Sequence, residues 1–245
     1  MNLEILYEDA DIVAVNKPSG LLTFVPPRTK KETAPTSEVG APTESVGAGD
    51  WFREKYEGGH VSPKPCGGGY VHRLDRDTSG VLVFSKNEKT YDFLRETFHD
   101  RGVKKTYLAL VYGVPKEKKG VIDFDIGRSR KDFRLRSAQP KAKGRLRESL
   151  TRYEVLGESG EYSLLKVMPE TGRTHQIRVH LKAINHPIVG DKLYAPKREL
   201  ALGLTRLALH AHQIDLPLPS GSHVVITAPI PTDLAPAFAL FPNAC

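Results

Sequence analysis

The amino-acid sequence predicts an α+β protein with a mixed or mostly antiparallel sheet, and three observations support that fold class. Short runs rich in apolar residues recur along most of the chain and are typical of strands. Segments with helical spacing are few and scattered. The chain contains no internal repeat. A doubly wound fold, in which strands and helices alternate regularly, is therefore disfavoured.

The N-terminal part is predicted to hold two short strands and a long insertion. The strands cover Leu3–Tyr7 and Ile12–Asn16, and the turn signal Lys17-Pro18-Ser19-Gly20 follows them. Residues 26–69 are predicted to form a flexible insertion. Residues 26–50 in particular are rich in Pro, Thr, Ser, Gly and Ala, and cannot bury enough apolar surface to order themselves.

Further strands and helices are predicted in the rest of the chain. The strands cover Val81–Ser85, Lys105–Tyr112, Val121–Ile126, Leu150–Val155, Tyr162–Met168, Leu207–Leu216 and Val224–Thr227. The helices cover Asp50–Tyr56, Glu88–His99, Thr174–Ile184 and Ala235–Phe241. Asp50 and Thr174 are the expected N-caps, and Asn185 is the expected C-cap of the third helix. Because Lys105–Tyr112 is apolar on both faces, we expect it in the centre of the sheet.

Length and composition indicate a single domain over residues 1–245. Hydrophobic residues make up 39% of the chain, and no apolar run approaches the roughly 18 residues of a membrane helix, so no membrane partner is expected. Cys66 and Cys245 lie far apart, and the acidic first residues lack the basic start of a signal peptide. We therefore expect a cytoplasmic protein with reduced thiols. The net charge of +7 favours a polyanionic partner.

The segment His72-Arg73-Leu74-Asp75-Arg76-Asp77-Thr78-Ser79-Gly80 concentrates charge beside an apolar strand. A carboxylate beside arginines stays ionised and can act as a nucleophile or general base, whereas an Asp/Arg ion pair that pins a turn explains the same residues equally well. Asp75 and Asp77 would share one face of an extended chain, as the paired carboxylates of a sugar hydrolase would require. However, Asp77 immediately precedes a turn sequence, so we interpret Asp77 as structural and Asp75 as the chemical residue.

A second polar segment, Thr171-Gly172-Arg173-Thr174-His175-Gln176-Ile177-Arg178-Val179-His180-Leu181, opens the third predicted helix. A helix N-terminus attracts anions, and Arg173 beside it suits a phosphate. Arg178 borders the apolar stripe of the helix and would need a carboxylate partner, for which Asp75 is the candidate. A surface arginine whose aliphatic stem covers the stripe is the alternative.

The segment 128–147 is strongly basic and contains little apolar material, so it is predicted to be a loop. It is either a solvated loop or an arm that contacts phosphates. Its cations are Arg128, Arg130, Lys131, Arg134, Arg136, Lys141, Lys143, Arg145 and Arg147. Elsewhere the chain shows no zinc-ligand spacing and no nucleotide-binding glycine motif, so neither a metal nor a nucleotide cofactor is expected.

Taken together, these motifs resemble those of the RluA-type pseudouridine synthase family. The segment from His72 to Gly80 looks like the catalytic signature of that family, and the stretch from Thr171 to Leu181 looks like its arginine motif. The remaining matches, in family order, are Asp11–Leu21, Lys104–Gly113, Pro187–Asp191 and Leu209–Ala211. The resemblance covers nearly the whole chain. No S4 RNA-binding domain is expected, and the 26–69 insertion is longer than is typical of the family.

The resemblance implies a bent, mostly antiparallel sheet around a central RNA-binding cleft. It also implies isomerisation of uridine in tRNA or rRNA to pseudouridine without a cofactor or metal. No obligate protein partner is expected, and we expect a monomer because an asymmetric RNA does not require a dimer. By position, Asp75 corresponds to the essential aspartate, Arg178 to its arginine partner and Tyr107 to the tyrosine that stacks on the base. Arg73 corresponds to the residue that fills the space left by the flipped nucleotide. Further RNA contacts are expected from Arg173, His175, Arg130, Arg134 and Arg136.

Two other functions are compatible with the same residues. A non-catalytic RNA-binding protein on the same fold would be expected to lose the acid or its partners, yet Asp75, Tyr107 and Arg178 are all present. A glycoside hydrolase would use Asp75 together with Asp77.

Overall fold

A computed structural model describes residues 1–25, 46–56, 69–130, 132, 135–138 and 142–241. Within these ranges the strands are β1 (Glu4–Glu8), β2 (Ile12–Lys17), β3 (Ser79–Ser85), β4 (Lys104–Tyr112), β5 (Lys119–Ile122), β6 (Ile126–Ser129), β7 (Arg136–Ala138), β8 (Ala142–Arg147), β9 (Thr151–Ser159), β10 (Tyr162–Pro169), β11 (Leu209–Pro217) and β12 (His223–Thr227). The helices are α1 (Ala48–Lys55), α2 (Glu88–His99), α3 (Gln176–Ala183) and α4 (Ala235–Phe238). None of these helices is long and apolar enough to cross a membrane.

Nine strands form one large sheet, which confirms the predicted mixed, mostly antiparallel architecture. Its order is β1-β2-β3-β11-β4-β10-β9-β5, and β12 pairs with β11. The only parallel pair among the described strands is β3 with β11. Strand β4 lies between β11 and β10, as its two apolar faces predict.

The strand register places Gly80 of β3 and Tyr107 of β4 on either side of the same residue of β11. On β11, Ala211 lies opposite Gly80 of β3 and opposite Tyr107 of β4. Gly80 has a φ of 116°, and a Cβ at this position would overlap the Ala211 backbone. The segment from His72 to Gly80 therefore leads directly into β3, which packs tightly against β11. Tyr107 lies on β4, on the other side of β11.

Helix α1 corrects the prediction of a flexible insertion for residues 46–50. It begins at Ala48 with Gly47 as N-cap, and Trp51 and Phe52 are buried. Asp50 is not the N-cap; its carboxylate instead accepts the Gly47 N–H at 2.7 Å from the third helical position. Phe52 stacks on Phe84 of β3, which anchors the helix to the sheet. Of the predicted insertion, residues 26–45 and 57–68 lie outside the described ranges.

Helix α3 also begins and ends at different residues from those predicted. His175, in a left-handed conformation with φ 57°, is its N-cap, not Thr174, and Ile184 is its C-cap, not Asn185. The side chain of Gln176 explains the start, because its amide oxygen accepts the Arg173 N–H and the Thr171 hydroxyl. The capping role that the sequence suggested for Thr174 is thus taken by a residue inside the helix.

The basic segment is a sheet and not the predicted loop. Strands β7, β6 and β8 form a separate three-stranded sheet in that order, which we call the basic sheet. The predicted strand Val121–Ile126 is divided because β5 pairs with β9 whereas β6 belongs to the basic sheet. A small apolar cluster of Ile126, Ala138, Val179 and Tyr194 joins the basic sheet to α3.

Candidate active site

A cleft of about 570 Å³ brings the predicted catalytic residues together. Its walls come from the loop before β3, from α2, from β4 and from the segment that leads into α3. All three residues predicted to be catalytic line it, as do three of the predicted RNA contacts. They are Asp75, Tyr107, Arg178, Arg73, Arg173 and His175.

Asp75 lies in the loop before β3, where both the backbone and the side chain are constrained. The neighbouring Leu74 is buried, and its N–H and C=O both bond the Thr23 hydroxyl, at 3.1 and 2.9 Å. The Asp75 carbonyl accepts the Thr78 N–H at 3.1 Å. The Asp75 side chain keeps 19% of its surface exposed. It is therefore held in place while remaining open to a ligand.

Lys17, the last residue of β2, forms a hydrogen bond to the same loop, a role that sequence reasoning missed. Its side chain is fully buried, and its ammonium donates to the carbonyls of Pro18, Leu21 and Arg76 at 2.9, 2.7 and 3.0 Å. Burial lowers the pKa of Lys17 to about 7, an effect opposed by the charges of Asp77 and Asp75. The three carbonyl acceptors also favour the ammonium form, so Lys17 links β2 to the residue after Asp75.

Arg178 pairs with two aspartates, of which only one was predicted. Its Nη1 faces Asp75 Oδ2 at 4.0 Å, whereas Nε and Nη2 donate to the two oxygens of Asp191 at 2.7 Å each. Asp191 is almost completely buried and also accepts the N–H groups of Leu193 and Tyr194. Although burial lowers the pKa of Arg178, the Asp191 hydrogen bonds raise it above its usual value overall. The expected pairing with Asp75 is present at 4.0 Å, and Asp191, which was not predicted as a partner, lies closer.

His175 approaches the other oxygen of Asp75. Its Nε2 lies 4.0 Å from Asp75 Oδ1, and its Nδ1 lies 2.8 Å from the Tyr194 hydroxyl. Burial lowers the pKa of His175, an effect that the charge of Asp75 opposes. Tyr194 was not identified from the sequence, because no motif or spacing marks it. Each oxygen of the Asp75 carboxylate therefore has a nitrogen of its own nearby.

Tyr107 presents an aromatic ring to the cleft from the middle of β4. Burial raises the pKa of the Tyr107 phenol, and the charge of Asp75 raises it further. The phenol therefore keeps its proton at neutral pH. A flat, neutral ring beside a carboxylate suits stacking on a planar base.

The cleft is bordered mainly by cations. Arg73 is exposed at its edge, and Lys105 extends into it with a pKa that burial lowers to about 8. The further arginines in the walls are Arg95, Arg101 and Arg173. Asp77 is exposed and does not line the cleft, so it does not form a carboxylate pair with Asp75 across a shared cavity. The arrangement gives no support to the glycoside hydrolase hypothesis.

A second cavity, of about 460 Å³, lies on the basic sheet and shares Gly172, Arg173 and Thr174 with the cleft. Among the residues that the structure describes, its lining includes no carboxylate, and its cations are Arg128, Arg136, Lys143, Arg145, Arg147 and Arg173. Of the predicted RNA contacts, Arg136 lines this cavity and Arg130 lines neither cavity. Arg134 lies outside the described residues. Among the described residues no group of three or more His, Cys, Asp or Glu could hold a metal ion.

Comparisons with known proteins agree with this geometry. Residues 11–183 match the family described as RNA pseudouridylate synthase. An uncharacterized RNA pseudouridine synthase of Synechocystis is 36% identical over 94% of this chain and 66% of its own length. The dual-specificity RNA pseudouridine synthase RluA of Vibrio cholerae is 35% identical over 96% of this chain and 84% of its own length.

A solved structure extends the likeness to the fold. Human RNA pseudouridylate synthase domain containing 1 superposes with a TM-score of 0.72 at 26% identity, covering 96% of this chain and 86% of the human one. The chain spans just under two thirds, 66%, of the Synechocystis relative.

Proposed function

The chain belongs to the RNA pseudouridylate synthase family, and on that premise we propose that it isomerises uridine in RNA to pseudouridine with Asp75 as the reactive group. In this reaction the C1′–N1 bond breaks and a C1′–C5 bond forms. A proton leaves C5 and N1 gains one, so the composition of the nucleotide does not change. The observation that carries the assignment is the part-exposed Asp75 carboxylate, with Arg178 and His175 each 4.0 Å from one of its oxygens.

Asp75 begins the reaction at the ribose. Its carboxylate either attacks the nucleoside as a nucleophile or removes a proton from the sugar to give a glycal, and both routes require an ionised, oriented oxygen. Arg178 supplies a positive charge that faces Asp75 Oδ2 at 4.0 Å and orients the carboxylate. Because Asp191 occupies two of its nitrogens, the third is held in place for Asp75.

Tyr107 stacks on the uracil base in this proposal, and Arg73 fills the space that the nucleotide leaves. A uridine must leave its stack to place its ribose against Asp75 inside the cleft. Tyr107 offers an aromatic surface for the uracil ring, and Arg73 at the cleft edge is free to enter the space that the nucleotide leaves. Stacking on an aromatic side chain is the usual way in which proteins hold an extruded base.

The RNA backbone is bound by the cations around the two cavities. Arg173 lines both, and the described lining of the cavity on the basic sheet contributes arginines and one lysine without an opposing carboxylate. Such surfaces bind phosphates with little regard to sequence. The protein is proposed to act as a cytoplasmic monomer on tRNA or rRNA. The relative from Borreliella burgdorferi, 36% identical, is named a ribosomal large subunit pseudouridine synthase, which supports an rRNA target.

Pseudouridine mapping in cells that lack this protein tests the proposal. One or a few uridines should remain unmodified, and the wild-type protein should restore them. Asp75→Asn should fail to restore them, whereas the matched variant Asp77→Asn, two residues away and outside the cleft, should succeed. Full restoration by Asp75→Asn would overturn the assignment.

A further inference from the structure

We propose that His175 is a positioning residue for Asp75, held by the Tyr194 hydroxyl in the tautomer that points an N–H at the carboxylate. The functional part of this inference rests on the proposed function, since it takes Asp75 as the reactive group. The hydrogen-bond chain itself does not depend on the reaction. It runs from the Arg136 backbone through Tyr194 and His175 to Asp75.

The direction of the chain follows from its first member. The Arg136 backbone N–H can only donate, and it donates to the Tyr194 oxygen at 3.0 Å. The phenol keeps its own proton, because burial raises the pKa of Tyr194 to about 12. That proton is available to His175 Nδ1, 2.8 Å away.

An Nδ1 that accepts a hydrogen bond leaves the proton of a neutral imidazole on Nε2. Nε2 is the nitrogen that faces Asp75 Oδ1 at 4.0 Å. The opposite tautomer would turn a lone pair toward a carboxylate oxygen, which is electrostatically unfavourable. Tyr194 therefore selects the form of His175 that attracts Asp75.

The backbone conformation of His175 also points to a role beyond capping. Its φ of 57° lies in the left-handed region, which is uncommon for residues other than glycine, and its side chain makes no cap hydrogen bond to α3. Its ring instead packs edge-on against Tyr194, with centroids 5.6 Å apart and planes at 81°. In this conformation the imidazole lines the cleft.

The geometry divides the Asp75 carboxylate between two partners. Arg178 Nη1 faces Oδ2 and His175 Nε2 faces Oδ1, both at 4.0 Å. These distances are longer than hydrogen bonds, as is common for catalytic groups before substrate closes the site. With both partners engaged, the plane of the carboxylate is fixed and one edge is presented to the ribose.

The surrounding charges are balanced. The charged groups that face His175 are the carboxylates of Asp75 and Asp191 and the guanidiniums of Arg178 and Arg136. Since burial lowers the pKa of His175, its neutral form is the relevant one at neutral pH. Its effect on Asp75 is therefore that of a directed N–H dipole and not of an additional positive charge.

Kinetics on matched variants test the functional part. The probe is RNA tritiated at uracil C5, taken from cells that lack this protein, and the readouts are tritium release and RNA affinity. His175→Ala should lower kcat about 10–100-fold at unchanged RNA affinity, by analogy with the loss of a residue that orients a metal ligand. His175→Gln, which retains an N–H donor, should recover part of that loss. Tyr194→Phe should lower kcat, whereas Tyr162→Phe, a phenol outside the cleft, should not.

The ¹⁵N spectrum of the imidazole tests the tautomer in the free protein, with His175→Gln as the assignment reference. The expected result is a protonated Nε2 and an unprotonated Nδ1, with the preference lost in Tyr194→Phe. A protonated Nδ1, or a His175→Ala variant with wild-type kcat, would overturn the inference. If the wild-type protein releases no tritium, the proposed function is wrong. The ¹⁵N spectrum alone then tests the hydrogen bonds that run from Arg136 through Tyr194 to His175.

Discussion

At the scale of single residues, the reactive carboxylate depends on an arginine that is itself held by a second aspartate. Asp191 is 1% exposed and bonds Arg178 through both oxygens. Its contribution to the site is to orient the guanidinium, since its own carboxylate is fully engaged. A change at Asp191 should therefore affect both stability and turnover.

Asp191→Asn should leave the Arg178 charge buried without its close partner. Breaking a buried ion pair costs about 3–5 kcal/mol. For a chain of this size, that lowers Tm by about 6–20 °C. Tritium release should fall as well. The control is Asp233→Asn, which breaks the more exposed pair of Asp233 with Arg206 and should cost about 1 kcal/mol or less. Equal Tm losses in the two variants would contradict this account.

The chemical role of a residue could be predicted where its neighbours in the same segment indicate that role. Asp75 was singled out because it stands among arginines beside an apolar strand, and Arg178 because it borders an apolar stripe. Asp191 and Tyr194 could not be assigned roles, since the bonds they make join α3 to the segment after it and to the basic sheet. Such contacts leave no periodic signal in the sequence.

At the scale of elements, Lys17 of β2 contacts the loop that carries Asp75 through the Arg76 carbonyl. Lys17→Met would leave the carbonyls of Pro18 and Leu21 without this donor, whereas the Arg76 carbonyl would still accept the Gly20 N–H. Unsatisfied buried acceptors cost about 1–3 kcal/mol each before relaxation, so a net loss of about 2–4 kcal/mol is expected. Chemical denaturation measures it. Lys104→Met, in an exposed pair with Asp215, is the matched control and should change stability by about 0.5 kcal/mol at most.

The parallel pairing of β3 with β11 depends on Gly80. Gly80→Ala would force a Cβ into the Ala211 backbone at a φ of 116°. Backbone strain and overpacking together should lower the free energy of unfolding by about 2–6 kcal/mol. Chemical denaturation measures this change. Gly172→Ala is the control, because a Cβ there meets nothing within 4 Å. A Gly80→Ala protein as stable as Gly172→Ala would mean that the strands are not packed as described.

Elements with apolar periodicity were predicted well, and the others were not. Helix α2 has the predicted bounds, Glu88–His99, because its apolar spacing is regular and Asn87 caps it. Strand β8 has one buried residue followed by exposed and mostly charged ones, so nothing in its sequence distinguishes it from a loop. Pairing with β6 and the apolar cluster on α3 hold the basic sheet together.

At the scale of the whole molecule, the net charge is +7, and the fold places many of the cations around the two cavities. The sequence indicated a polyanionic partner, but it could not show that the basic segment forms a cavity next to the cleft. The two cavities share Gly172, Arg173 and Thr174, in the loop before α3. The proposed path of the RNA therefore runs from the basic sheet to Asp75.

Arg145→Ala, an exposed residue of the basic sheet, should weaken RNA binding and leave kcat at saturating RNA unchanged. The slope of log K against log salt should fall by about 0.7–0.9, the release of one counterion. Filter binding over a salt series measures it. Lys116→Ala, equally exposed but lining neither cavity, should leave the slope unchanged. If both variants have the wild-type slope, the basic sheet does not contact the RNA backbone.

The central claim is that the Asp75 carboxylate carries out the isomerisation. Its most direct test is tritium release from C5-labelled RNA by wild-type protein and by Asp75→Asn, with RNA affinity measured on both. The account predicts release by the wild type and none by Asp75→Asn at comparable affinity. Release by Asp75→Asn at the wild-type rate would contradict it.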